Sequence, residues 1–189
     1  MSSIKLTADS GGGTVELKAP ATTASNAAKV ITLSQNPGMV TQVVSRFQDT
    51  QKSTTTSGSF VNVTDVYGTI TPASTSNKIL VLINGMVSST ANNAVGFRLK
   101  KTIGGSSTEI GGADDTATQS GILNIFVGNN NHMLPFNYSF LDSPSTTSEI
   151  TYQLTWRNNG GTTYWNTYSG SAGADYDGAS SVILMEIAG

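Results

Sequence analysis

Two-residue alternation of apolar and polar side chains recurs from one end of this chain to the other, and no stretch of ten or more residues carries a helical period. In "AVGFRLKKT" (94–102), Val95, Phe97 and Leu99 point one way while Gly96, Arg98 and Lys100 point the other, so one face is dry and one wet. "KILVLINGMV" (78–87) is apolar on both faces, as expected of a strand buried between its sheet partners and another surface. "SSVILMEIAG" (180–189) sets Val182, Leu184 and Glu186 on one face and Ile183, Met185 and Ile187 on the other. Two-sided apolarity there predicts a strand that is centrally paired and covered rather than fraying at an edge.

The same reading predicts strands at 4–7, 14–18, 29–33, 40–47, 59–63, 67–71, 78–87, 94–102, 120–127, 133–140, 149–156, 163–167 and 180–187. Turn clusters such as "NPG", "TPASTSN", "GGSS", "GGADD", "SPSTTS" and "NNGG" separate them. The expected fold is all-β, a two-sheet sandwich or jelly roll preceded by a short β-rich amino-terminal arm. Phe47, Phe60, Tyr67, Phe97, Phe126, Phe136, Phe140, Tyr152 and Trp156 are the large side chains available for its core.

Composition narrows the function classes. Charged residues are 12% of the 189, Gly numbers 20, and Ser plus Thr are about a quarter, a β composition rather than a disordered one. A formal charge of −2 leaves no basic footprint for nucleic acid. The longest apolar run, 79–83, is too short to insert across a bilayer, and "MSSIKLTADS" has neither the basic start nor the apolar stretch of a secretion signal, so synthesis in a cytoplasm is expected. With no cysteine, stability must come from packing or assembly.

The stretch "SIKLTADSGGGTVELKAP" reads as two short strands around a glycine-rich turn, with Ile4, Leu6, Val15 and Leu17 as nearly all its apolar surface. Ordering a backbone costs about 1–2 kcal/mol per residue, whereas four buried aliphatic side chains return roughly 1.5–3 kcal/mol each. Alone, this piece does not hold its shape. In "SQNPG", Pro37 restricts Asn36 and Gly38 permits a reversed backbone, so residues 1–35 are expected to be an arm, 36–38 a turn and linker, and 39–189 the body. Ile4, Leu6, Val15 and Leu17 are then the docking residues of the arm.

Side chains for catalysis are few, and neither an enzyme nor a cofactor is expected. The one histidine, His132, lies in the polar turn "GNNNHML" with no GxSxG, HExxH or phosphate-cradling loop beside it. Asp114 and Asp115 form one acidic pair; Asp175 and Asp177, followed by Gly178, form another that resembles a calcium loop but lacks its bidentate glutamate. A surface Asp-Gly turn explains the second pair more simply, and no metal is expected. In "TTYWNTYSGSAGADYD" (162–177), Tyr164, Trp165, Tyr168, Asp175 and Tyr176 set flat rings beside hydrogen-bonding groups. That mixture suits a receptor or glycan contact, and equally a core cap with the remaining rings in solvent.

The opening "SSIKLTADSGGGTVELKAPATTASNAAKVITL" resembles the short amino-terminal repeat of tail-fibre and other virion proteins of marine bacteriophages. "VNVTDVYGTITPASTSNKILVLINGMVS", "GFRLKKTIGGSSTEIGG" and the "SSVILMEIAG" ending resemble the jelly-roll domain that follows it, of tumour-necrosis-factor or complement type. The resemblance implies a homotrimeric, non-enzymatic phage structural protein at the virion surface, made in the bacterial host cytoplasm. Its partners would be other virion proteins, either the major capsid protein or tail components. With one short arm and no shaft, it favours a capsid decoration, cement or head-fibre protein, with a tail-fibre protein adhering to host surface glycan as the alternative.

Overall fold

The computed structural model of the chain describes residues 37–90, 92–111, 121–128, 132–168 and 177–189 in full, and the backbone of 3–7 and 14–18. The chain divides into two compact units, Met1–Ser34 and Gln35–Gly189. In the first, β1 (Ser3–Thr7) pairs antiparallel with β2 (Thr14–Lys18), which sets Ile4 opposite Leu17 and Leu6 opposite Val15. The strand expected at 29–33 lies outside the described residues.

The second unit is a sandwich of two antiparallel sheets. The first contains β3 (Val40–Gln48), β4 (Lys52–Thr54), β6 (Lys78–Ser89), β10 (Met133–Asp142), β12 (Thr163–Trp165) and β13 (Ser180–Ile187). Strands β12 and β13 both run against the same side of β6, β12 at its Val87–Ser89 end and β13 along Lys78–Asn84, so together they form one interrupted strand. Strands β4 and β3 continue the same break on their far side, and β10 pairs the other side of β6. The lateral order is therefore β10, β6, β13 with β12, then β3 with β4. The second sheet runs β5 (Val61–Ile70), β11 (Ile150–Asn158) and β7 (Asn93–Ile103), with β8 (Ser106–Ile110) and β9 (Leu123–Val127) both on the far side of β7. Two four-strand layers ordered 3-13-6-10 and 5-11-7-9 are a jelly roll.

Alternation explains which face each strand buries. Val95, Phe97 and Leu99 are fully buried, as are Ile79 and Val81 of β6 and Leu184 of β13. Phe97, Phe136 and Trp165 form an aromatic cluster, with ring centroids 4.7 Å apart for Phe97–Phe136 and 5.3 Å for Phe136–Trp165. Gly85 of β6 is required there, because a Cβ on it would run into the Trp165 ring. Glu186 is buried at the end of β13, its Oε1 accepting from the Ala73 backbone N–H (2.6 Å) and the Asn77 amide (2.7 Å).

Three expectations change. Residues 59–63 and 67–71 are not two strands; β5 runs through both, bulged against β11, with Asp65 at φ +67°. The polar Thr64 and Asp65 read as a turn, but Gln153 Nε2 satisfies the bulge by donating to Val63 O (2.9 Å) and Val66 O (3.0 Å). "GGSS" is a tight turn over Gly104 and Gly105, with φ +56° and +84°, whose serines open a further strand, β8. Phe47 and Phe126 are not core residues; they are 69% and 64% exposed. Their strands alternate, and Val44 and Ile125 take the inward positions instead.

Candidate subunit interface

The register assigns every outward position of the first sheet. Val43, Met185, Leu80 and Leu141 lie in one transverse row; Ser45, Ile183, Leu82 and Ser139 in the next; Phe47, Ser181, Asn84 and Asn137 in the third. Val40 and Ile187 flank them at one end, and Met86 and Pro135 at the other. Most of these side chains are aliphatic, aromatic or thioether, and the rest are neutral amides and hydroxyls. Charge borders the face at Lys78, opposite Ile187, and at Asp177, which accepts a hydrogen bond from Gln51 Nε2. Of the six large apolar side chains most exposed among the described residues, Val40, Val43, Phe47 and Leu141 all lie here.

The second sheet presents the opposite chemistry. Its outward positions carry Arg98, Lys100, Glu109 and Arg157 among threonines and asparagines. Arg98 pairs with Glu109 and stacks 4.0 Å over the Phe60 ring, Lys100 Nζ donates to Asn62 Oδ1 at 2.6 Å, and Thr69 meets Thr151 at 3.2 Å. These contacts hold the charged groups of this face against neighbours in their own chain.

Four strands about 4.8 Å apart and about eight residues long at about 3.3 Å each give the first sheet a flat area of roughly 500 Å². Part of that area is polar, since Ser45, Ser139, Ser181, Asn84 and Asn137 stand in it.

The expected receptor residues separate. Trp165 is a correction: it is fully buried, its ring against Phe136 and its Nε1 donating to Ser180 Oγ at 3.0 Å. The cause is the break between β12 and β13. Asn166, at φ +59°, turns the chain out of the sheet, and its amide donates to Gln48 O (3.0 Å) and Ser180 Oγ (2.9 Å). The excursion closes where Thr167 bridges Asp177 and Gly178 N–H donates to Asn166 O at 2.9 Å. Trp165 thus belongs to the sheet and not to the loop. Tyr164 and Tyr168 are half-buried, whereas Asp175, Tyr176, Asp114 and Asp115 lie outside the described residues. His132 is exposed before β10, and among the described residues no group of three or more acidic or histidine side chains could hold a metal ion. Ile4, Leu6, Val15 and Leu17 lie on β1 and β2 of the first unit.

No protein-family model matches the chain, and no curated protein matches it. Among solved structures, infectious bursal disease virus of the Gx strain aligns over 98% of this chain and 50% of its own, at 10% identity and a TM-score of 0.40. The T13 particle of that virus aligns over 93% and 42%, at 13% identity and a TM-score of 0.41. Its VP2 subviral particle aligns over 93% and 44%, at 14% identity and a TM-score of 0.34. The chain therefore spans about half or less of the length of the structures it matches.

Proposed function

We propose that the chain is a non-enzymatic structural protein of a bacteriophage particle, a homotrimer that decorates or cements the capsid or forms a head fibre. The observation that carries this reading is the nearly charge-free outer face of the first sheet. Burying such a face strands no ion and removes the largest apolar surface from water. A second copy is the partner that presents matching chemistry without charge, and closed rotation of identical copies satisfies each of them equally.

Attachment to the particle then falls to the amino-terminal hairpin, with Ile4, Leu6, Val15 and Leu17 as its apolar contacts. Three such arms carried by one trimer act as a single stronger attachment, because the second and third bind at high effective concentration. The other reading of the sequence, adhesion to a host glycan, loses its central residue once Trp165 is in the core.

Native mass spectrometry at micromolar concentration is the direct test. Trimer is the expected species, and monomer alone overturns the assembly. Deleting residues 1–35 is expected to leave a folded trimer that no longer binds particles lacking the protein, and retained binding overturns the arm.

A further inference from the structure

We propose that copies meet as knob and socket, with Phe47 of one copy filling a depression between β6 and β10 of the next. This rests on the reading of the first sheet's outer face as the subunit contact.

The socket is an open depression of about 240 Å³ lined by Leu82, Ile83, Asn84, Asn137, Tyr138 and Ser139. Its short polar side chains, Asn84, Asn137 and Ser139, lie between two taller rows, Leu80–Leu141 on one side and Met86–Pro135 on the other. A flat apolar sheet laid on it would bridge a void, and close-packed interfaces do not keep voids of that size.

Phe47 is the knob. It is the most exposed large apolar side chain among the described residues, at 69%. It stands in the same transverse row as the socket, through Ser181, with Asn84 two strand spacings away and Asn137 three. At about 4.8 Å per strand those are roughly 10 and 14 Å, so Phe47 lies outside the socket of its own chain.

A knob and a socket on opposite edges of one face cannot both be satisfied by a two-fold pairing of Phe47 with Phe47. A reciprocal two-fold contact would seat each Phe47 in the other copy's socket and stop at a dimer; a head-to-tail contact seats one Phe47 per interface, and repeated rotation closes the ring that a trimer needs. The socket's chemistry suits an aromatic occupant: Leu82 supplies apolar surface for the ring, and neutral amides rather than charges stand beside it. Asn84 Nδ2 already donates to Ser181 Oγ at 2.8 Å, which holds that amide in place before the partner arrives.

The chain has no cysteine, so the contact can be read by thiol cross-linking. The double variant Phe47→Cys/Asn137→Cys is treated with a bismaleimide whose spacer is about two extended residues long, roughly 7 Å. That length replaces the lost ring and falls short of the separation within one chain. Covalent dimers and trimers are expected from the double variant and neither from the single ones. A native trimer that yields no cross-link overturns the socket while leaving the subunit contact standing. Phe47→Cys alone cross-linking as well as the double variant establishes two-fold pairing and overturns it too. Monomer throughout, in the unmodified protein as well, overturns both readings. In parallel, Phe47→Ala is expected to weaken trimerisation at least tenfold while Phe126→Ala leaves it unchanged, and equal effects overturn the socket.

Discussion

The two outer faces of the jelly roll obey one alternation rule and solve different problems. On the second sheet, the positions between buried Val95, Phe97 and Leu99 hold Arg98 and Lys100, each with a polar or aromatic neighbour in its own chain. On the first sheet, the positions between buried Ile79, Val81 and Ile83 hold Leu80 and Leu82, with Ile183 and Met185 beside them. Internal packing does not require that second set, because the core is complete without it.

The core that separates the faces gives the largest effect. Trp165→Ala is expected to cost about 3–5 kcal/mol in chemical denaturation, as for other buried aromatics. A loss under about 1 kcal/mol would return Trp165 to the surface and reopen the loop beside β12 as a binding site. Next, Met185→Lys places a charge at the centre of the first face. It is expected to abolish trimers at micromolar concentration with little change in the melting of the isolated body, because the ammonium is tolerated in water but not under a partner. The matched change on the other sheet, Thr151→Lys, is expected to leave the mass unchanged. If both variants remain trimeric, the distinction between the faces fails.

The sequence carried the layers more clearly than the faces. Strand 94–102 was legible because its outward residues are charged, which leaves one orientation available. Strand 180–187 was legible as central because both its faces are apolar, and β13 does lie between β3 and β6. Phe47 was not legible as a surface residue. In "VTQVVSRFQ" both alternating sets contain large apolar side chains, and only the pairing with β13 shows that Val44 and Arg46 turn inward. Trp165 failed for the converse reason. Its neighbours are the polar Asn166 and Thr167, so the tryptophan read as part of a polar loop, although it ends a three-residue strand immediately before the chain leaves the sheet. β8 was hidden by composition, since "SSTEI" offers Ile110 alone as an apolar anchor and depends on the two-glycine turn for its register.

Arg98→Ala is expected to have a small effect, below about 1 kcal/mol, because its partner Glu109 is half-exposed and the pair lies at the surface. A drop in trimer content from this change would show that the charged face also takes part in assembly.

The smallest effect concerns pH, and it separates association from folding. Asp65 of β5 accepts a hydrogen bond from Lys52 Nζ at 2.9 Å, with Arg46 at 3.4 Å, and these cations hold its carboxyl below the ordinary value of 3.8. A depressed native value means that this contribution to folding is fully in place above about pH 3.8 and is lost as pH falls through the lower native value. The melting difference between the unmodified protein and Asp65→Asn is therefore expected to be constant near neutrality and to shrink in acid. The trimer constant is expected to behave otherwise. Among the described residues, the carboxylates and amines bordering the first face are Lys78 at one end and Asp49 and Asp177 at the other. Association should vary less than about threefold between low and high salt, since an uncharged contact leaves ions nothing to screen. A steep salt dependence would mean that charged residues, and hence the other sheet, make the contact.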